Sequence, residues 1–356
     1  MANTSITIYP QYTNQVTRIN CGTSSPRLGG NIDLTFFPNL QEFRSNSNDI
    51  TAISGYAGNS NLRIFECFSN QLTGSIPSLS GLNNLQTFLC HTNQLTGPIP
   101  SLSGLTNLRD FQCYTNQLTG PIPSLSGLNN LRIFLCHTNQ LTGPIPSLSG
   151  LTNLRIFHCY TNQLTGSIPS LSGLNNLEDF RCESNQLTGP IPSLSGLTNL
   201  RIFQCQTNKL TGSIPSLSGL NKLQFFRCES NQLTGSIPSL SGLNNLQDFL
   251  CQANQLTGSI PSLSGLNKLQ TFQCRENQLT SFAGGSVSNT LGNFQAQTNQ
   301  LIFTAVNNIL ATFVAANRTT GTRILNLGGS GNAAPTGQGI TDKATLISRG
   351  WTVTTL

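Results

Sequence analysis

Charged residues are scarce in this sequence of 356 residues, which has 18 Lys and Arg, 12 Asp and Glu, and a formal net charge of +6. The basic residues are isolated along the chain, whereas nucleic-acid-binding proteins carry clustered basic stripes. We therefore expect no nucleic-acid partner. The surface must instead be covered by Asn, Gln, Ser and Thr, so we expect it to be close to neutral and rich in amides.

Long apolar runs are also missing. No stretch approaches the roughly 18 apolar residues that a transmembrane helix requires. The first residues, MANTSITIYPQYTN, have neither the basic start nor the apolar region of a secretory signal. We expect no membrane span and no classical secretion.

The cysteines, by contrast, are numerous and regularly spaced along the sequence. Ten of the eleven cysteines recur at an interval of 23 residues: Cys67, Cys90, Cys113, Cys136, Cys159, Cys182, Cys205, Cys228, Cys251 and Cys274. Each inner member of such a column has two equivalent neighbours, so we predict buried reduced thiols rather than disulfides. The column also offers no histidine ligand, so we expect no zinc. Cys21 lies outside it.

The cysteines mark ten copies of L-x-x-F-x-C-x-x-N-x-L-T-G-x-I-P-S-L-S-G-L, for example Leu85, Phe88, Cys90, Asn93 and Leu95. This pattern resembles the leucine-rich repeat family over about residues 40–327, in the subclass common in plant extracellular receptors. The resemblance implies a curved right-handed repeat solenoid with one parallel β-sheet on its concave face. It implies almost nothing about function.

The repeat can also be interpreted from its spacing. Phe88 and Cys90 lie two residues apart, so both point to one face of a strand, while Leu89 and His91 point to the other. A single coil encloses no core, and the core forms only where coils stack. We expect Asn93 and its equivalents to bind backbone groups that the turn leaves unpaired.

We predict three regions: a β-rich N-terminal cap or attachment segment over residues 1–39, the solenoid over 40–301, and a helix and strand cap over 302–356. The first prediction rests on the alternation of Ile6, Ile8, Val16, Ile19, Ile32, Leu34 and Phe36. In the last region we predict a helix from the spacing of Ile302, Val306, Ile309, Leu310 and Phe313. A second helix is predicted over 341–348, with Thr341 or Asp342 as its N-cap.

The sequence from Gly321 to Leu356 is similar to closing segments of repeat proteins from bacteriophages and from Bacteroidetes-type bacteria. The similarity is confined to about these 36 residues. It implies a virion protein or a bacterial repeat protein and says nothing directly about a ligand.

Variation among the copies is concentrated beside the cysteine, whereas SLSG is the same in nine copies between Ser78 and Gly265. Exposed positions that tolerate any residue would explain part of this contrast. A binding surface on the concave face explains it better, because residues there change without disturbing the core. The candidate ligand-binding residues are Phe68, His91, Tyr114, His137, Tyr160, Leu89, Leu135, His158, Arg181, Glu183, Arg227 and Glu229. Aromatic rings beside polar groups suit a glycan or a protein, and cross-strand pairs that merely stabilise the sheet are the alternative.

Catalytic and metal-binding patterns are weak. His137 and His158 are diagonal neighbours without an evident third ligand. Asp110, Asp179 and Asp248 share one column but are three repeats apart, too far for a paired-carboxylate mechanism. We expect a non-enzymatic protein without metal or cofactor.

The sequence therefore favours a recognition or adhesion protein, a phage fibre or spike component that binds a host-surface glycan or protein and resides on the virion. Other virion proteins would attach through residues 1–39 or the C-terminal cap. Two alternatives remain open: a structural spacer or assembly subunit whose interface lies in the termini, and a bacterial surface or secreted adhesin.

Overall fold

The computed structural model describes residues 10–22, 27–57 and 59–356. The chain forms two compact units, Met1–Leu177 and Glu178–Leu356, called the first and second unit below. Ile6 and Ile8 of the predicted N-terminal strands lie outside the described residues.

In the first unit each coil contributes one strand of three residues to a parallel sheet, and we call these the ladder strands. Phe43, Phe65, Phe88, Phe111 and their successors pair directly with one another across the sheet, so the register does not shift. The repeat length thus fixes the pairing. The ladder strands are Arg18–Asn20, Glu42–Arg44, Ile64–Glu66, Thr87–Leu89, Asp110–Gln112, Ile133–Leu135 and Ile156–His158.

A second set of strands, which we call outer strands, lies on the other side of the first unit. Five of them form one parallel sheet, Thr73–Ser75, Gln94–Pro98, Gln117–Pro121, Gln140–Pro144 and Gln163–Thr165. Gly29–Asp33 pairs with Asp49–Ser54, and Pro10–Gln15 is a short 3-10 helix. The first ladder strand, Arg18–Asn20, comes from the predicted N-terminal region, which therefore contributes to the same sheet.

The second unit repeats this architecture. Its ladder strands are Asp179–Arg181, Ile202–Gln204, Phe225–Arg227, Asp248–Leu250, Thr271–Gln273, Asn293–Gln295, Ile324–Asn326 and Thr352–Thr354. Its outer strands are Thr188–Pro190 paired with Lys209–Thr211, and Thr257–Ile260 paired with Gln278–Phe282. Two helices follow the repeats, α1 at Phe303–Ala316 and α2 at Gln338–Ser348.

The core consists of stacked identical residues. Phenylalanine rings of successive ladder strands stack with centroids 5.1–5.6 Å apart. The ten periodic cysteines are no more than 1% exposed. In α1, Phe313 packs edge-on against Phe294 and thereby covers the end of the second unit's stack. The predicted inward face of the strands is confirmed.

The asparagine that follows each strand binds the coils together, as predicted. Asn93 Nδ2 lies within 3.0–3.2 Å of the carbonyl oxygens of Cys67, Cys90 and His91. Its Oδ1 accepts a hydrogen bond from Leu72 N at 3.0 Å. One amide side chain therefore satisfies backbone groups of its own coil and of the coil before it.

The second residue after each of the ten periodic cysteines adopts a left-handed conformation although it is not glycine. Thr92, Thr115 and Thr138 have φ of 56°, 53° and 55°. This conformation is unfavourable for a β-branched residue. Here it turns the chain sharply off the strand and directs the following asparagine inward, so the asparagine bonds offset the strain.

The C-terminal cap requires one correction. The sequence placed the start of α2 at Thr341 or Asp342, but the helix begins at Gln338 and follows Gly337. Asp342 instead lies inside the helix, where it accepts a hydrogen bond from Gln338 Nε2 at 3.0 Å. Asp is a common N-cap residue, so the sequence pattern wrongly predicted that α2 begins at this position. The predicted first helix is confirmed as α1, and the strands of this region are Ile324–Asn326 and Thr352–Thr354.

The buried thiols lead to a chemical prediction. No disulfide links the cysteines of the described residues, and burial raises the pKa of thiols such as Cys113 and Cys136 well above the usual range. Because the thiolate is the reactive form, the native chain should react slowly with a thiol-specific reagent and rapidly after unfolding. Rapid native reaction, or a denatured unreduced chain without free thiols, would contradict the buried reduced column.

Candidate functional site

The residues on either side of each ladder cysteine form a surface that we call the outward face. Leu135 and His137 flank Cys136, and both are half-buried while Cys136 is fully buried. Leu89 and His91 flank Cys90 in the same way. The predicted alternation of inward and outward residues is confirmed, and it places the varying residues of the repeat side by side.

In the first unit the residues after the cysteines form a continuous stack of rings, which we call the aromatic row. Its members are Phe68, His91, Tyr114, His137 and Tyr160, with successive centroids 4.5, 4.2, 4.4 and 4.1 Å apart and planes tilted by 8–14°. The strand spacing of about 4.8 Å brings flat side chains to stacking distance. Each inner ring therefore has both faces covered by its neighbours.

This stacking changes what the row offers to a partner. A sugar ring binds an aromatic side chain through the ring face, and the faces within the row are occupied. The row instead presents ring edges, which carry the positive end of the aromatic quadrupole, together with the tyrosine hydroxyls and imidazole nitrogens. An edge of this kind suits carbonyl and other acceptor groups of a partner.

Local hydrogen bonds orient the imidazoles. His91 Nδ1 lies 3.2 Å from Thr92 Oγ1, and His137 Nδ1 lies 3.2 Å from Thr138 Oγ1. The left-handed threonine that turns the chain thus also fixes the ring beside it. In His91 this bond engages Nδ1 and leaves Nε2 for a partner.

Burial within the row lowers the pKa of His91 to about 4 from its ordinary 6.5. The unfolded chain then binds more protons between these two values, so the contribution of His91 to stability is complete above pH 6.5 and is lost as the pH falls towards 4. An NMR titration should find His91 neutral at pH 5.5, and the His91→Phe variant should lose less stability on acidification than the wild type. Titration near 6.5 would contradict the buried stack.

The other predicted residues of the first unit border the row. Leu89 and Leu135 are half-buried on the outward face, and the His158 centroid lies 6.1 Å from that of His137 and 5.9 Å from that of Tyr160. The structure thus brings all eight predicted residues of this unit to one face. Among the described residues no three His, Cys, Asp or Glu side chains are placed to hold a metal ion.

The second unit has a different chemistry on its outward face. The row after the cysteines consists of Glu183, Gln206, Glu229, Gln252 and Arg275. Burial raises the pKa of Glu183 to about 7 and also raises that of Glu229. Near neutral pH the Glu183 carboxyl is therefore partly protonated, which reduces the negative charge of this face.

The two predicted arginines of the second unit already have acidic partners. Arg181 donates two hydrogen bonds to Asp179, at 2.8 and 2.9 Å, and Arg227 donates one to Asp248 at 2.8 Å. Both aspartates were considered only for catalysis in the sequence analysis. They hold the guanidinium groups in place, so these arginines are less available to a ligand than the sequence suggested.

No protein-family model and no curated protein sequence matches the chain. Solved structures do. The plant peptide hormone receptor RGFR1, in complex with RGF2, has a TM-score of 0.75 and 27% identity, over 98% of this chain and 62% of that one. The ectodomain of the plant membrane receptor kinase GASSHO1/SCHENGEN3 from Arabidopsis thaliana, in complex with CASPARIAN STRIP INTEGRITY FACTOR 2, has a TM-score of 0.70 and 26% identity, over 95% and 50%.

The functional domain of InlJ from Listeria monocytogenes, which includes a cysteine ladder, has a TM-score of 0.62 and 20% identity, over 89% of this chain and 76% of that one. Such neighbours, together with the stacked 23-residue coils, decide the fold. The fold is a leucine-rich repeat solenoid. The chain spans about three fifths of RGFR1 and half of the GASSHO1/SCHENGEN3 ectodomain, so their ligands bear on this chain only as a proposal.

The comparisons do not reveal the predicted similarity of the C-terminal segment to phage or Bacteroidetes-type proteins. The described helices are all too short or too polar to cross a membrane.

Proposed function

We propose that this leucine-rich repeat protein is a non-enzymatic recognition protein that binds a protein or peptide partner through the outward face of its first unit. The observation that carries the proposal is the aromatic row, in which five stacked rings occupy the position where the repeat otherwise varies. Aromatic residues are enriched at the energetic centres of protein interfaces. A rigid stack also loses little side-chain entropy on binding.

The contrast with SLSG supports this assignment. Ser101 Oγ accepts a hydrogen bond from Ser103 N at 3.3 Å, and the same bond recurs in the following coils. These serines are constant because they fix a turn. The residues of the outward face do not form this turn, and together they make up a continuous surface.

The solved neighbours also favour a peptide or protein partner. RGFR1 was solved in complex with RGF2, and GASSHO1/SCHENGEN3 in complex with CASPARIAN STRIP INTEGRITY FACTOR 2. A glycan remains the second predicted ligand class, but the covered ring faces make it the weaker one. The edges and hydroxyls of the row suit a partner with backbone carbonyl groups.

The finer prediction, a phage fibre or spike component on the virion, rests on the C-terminal resemblance together with the neutral, amide-rich surface. A bacterial surface or secreted adhesin is the corresponding alternative. Mass spectrometry of purified particles distinguishes them, because a virion component must be present there.

One observation favours the structural alternative, in which the termini carry the interface. Ile340 and Ile347 lie seven residues apart on α2 and are 59% and 50% exposed, and Leu356 is 60% exposed. Exposed apolar residues in the cap are suited to attachment. A spacer of this kind would retain its task without the aromatic row.

The proposal is tested by presenting the full chain to arrays of peptides, extracellular proteins and glycans and to whole bacterial cells. We expect saturable binding to a peptide or protein. Saturable binding only to glycans would overturn the preferred ligand class, and assembly into particles or filaments without binding to any array would favour the spacer.

A further inference from the structure

A polar cleft opens in the second unit, away from the residues that the sequence singled out. Its volume is about 420 Å³, within the usual range for small-molecule sites. It lies where the segment after α1 passes the beginnings of the ladder strands Thr271–Gln273 and Asn293–Gln295. The residues that line it are Gln270, Thr271, Thr290, Gly292, Asn293, Arg318 and Thr322.

Two backbone carbonyl groups orient Arg318 at this cleft. Its Nε donates to Thr322 O at 3.1 Å, and its Nη1 donates to Asn289 O. Nη2 is directed past Gly292 and Gly321, and a Cβ atom at either glycine would collide with it. A Cβ atom at Gly292 would also collide with Thr322 O. The guanidinium group thus lies close to the backbone of both glycines, and its Nη2 has no acceptor among the described residues.

The surroundings favour an anion. None of the lining residues is acidic. Asp248 pairs with Thr271 in the sheet, but its carboxylate is bound to Arg227. Residues 302–356 contain four basic side chains, Arg318, Arg323, Lys343 and Arg349, and one acidic side chain, Asp342. The side chains of this region therefore carry a net charge of +3 (4 − 1).

The remaining lining groups favour a hydroxylated ligand. The side chains of Gln270, Thr271 and Thr322 make no hydrogen bond within the described part of the chain, and Asn293 uses only Oδ1, which accepts from Gln295 Nε2 at 2.9 Å. These amides and hydroxyls can bind hydroxyl groups of a ligand in place of water, while Arg318 pairs with its carboxylate. A sugar ring that carries a carboxylate supplies both kinds of group.

We propose that this cleft is a binding site for an acidic sugar, with Arg318 receiving the carboxylate and Gln270, Thr271, Asn293 and Thr322 receiving the hydroxyl groups. The site is separate from the aromatic row and does not depend on the proposed function. It gives the chain a second recognition element of different chemistry.

The test uses calorimetric titration of the full chain with trigalacturonic acid and with its methyl ester. We expect the acid to bind and the ester to bind at least about tenfold more weakly, because esterification removes the charge that pairs with Arg318. Binding of the acid should weaken as salt is added. Equal affinity for acid and ester, or no binding of the acid, overturns the proposal.

Variants locate the site. Arg318→Gln should weaken binding at least about tenfold. Arg323→Gln is the matched control, because it removes the same charge from the same segment, while Arg323 does not line the cleft and donates to Thr319 O. It should change affinity less than about twofold.

Arg318 also supports the segment it lies on, so Thr271→Ile provides a second variant that narrows the cleft and leaves the contacts of Arg318 intact. It should weaken binding of the acid as well. If the single variants Thr271→Ile and Arg318→Gln both bind the acid with wild-type affinity, the site is overturned. A variant with alanine at Tyr114, His137 and Tyr160 should bind the acid with wild-type affinity, which separates this site from the aromatic row. A Glu-containing peptide that binds as tightly as the sugar acid would exclude the sugar assignment.

Discussion

Replacing Asn139 by alanine is expected to lower the free energy of unfolding by about 4 kcal/mol, because several buried backbone groups lose their partner at once. Asn139 Nδ2 lies 3.1 Å from both Cys113 O and Cys136 O and 3.3 Å from His137 O. Its Oδ1 accepts from Leu118 N at 3.0 Å. Two of these groups belong to the preceding coil, so the variant weakens the stacking between coils that creates the core.

Asn130→Ala is the matched control for this prediction. Asn130 is an exposed asparagine of the same repeat, and its Nδ2 donates one hydrogen bond, to Thr106 O at 2.9 Å. Its loss should lower the free energy of unfolding by about 1 kcal/mol or less. Urea unfolding followed by circular dichroism compares the two variants. Equal destabilisation would show that the asparagine ladder does not bind the coils together.

Changing Tyr114, His137 and Tyr160 together to alanine is expected to weaken binding of the partner at least about 100-fold, the loss of two hot-spot residues or more. The core beneath the row is untouched, because these side chains lie on the outward face and the phenylalanine stack lies on the other. The variant should therefore keep the circular dichroism spectrum of the wild type. Its unfolding midpoint should fall moderately, since stacked aromatic pairs contribute roughly 0.5–1.5 kcal/mol each.

The control for the triple variant changes three exposed threonines of the outer strands, Thr119, Thr142 and Thr165, to alanine. It alters the same coils on the opposite side and should leave affinity unchanged. Wild-type binding by the aromatic variant would remove the proposed surface. An equal loss in both variants would indicate a general effect on the coils.

The period of 23 residues predicted most of the fold, because identical residues in successive coils can only stack on one another. The position of Phe88, Cys90 and Asn93 within one repeat therefore fixed the strand, its inward face and the asparagine ladder. The start of α2 was missed because it lies outside the repeat, where one polar residue is a weak boundary signal.

The site was predicted less completely. Alternation placed His137 outward, but stacking of the rings depends on side-chain rotamers that a pattern does not contain. The pairing of Arg181 with Asp179 was within reach of the sequence, since residues two apart on a strand share a face. The cleft at Arg318 could not be predicted from the sequence, because its lining residues come from segments about 50 positions apart. These segments do not occupy equivalent positions of the repeat.

The central claim is that a partner binds the surface formed by the residues beside the buried cysteines. The three histidines of the chain, His91, His137 and His158, all lie on that surface, so modification by diethyl pyrocarbonate, read by mass spectrometry with and without bound partner, tests the claim most directly. We expect the partner to slow modification of all three histidines and to leave the lysines unaffected. Unchanged histidine reactivity at saturating partner would contradict the account.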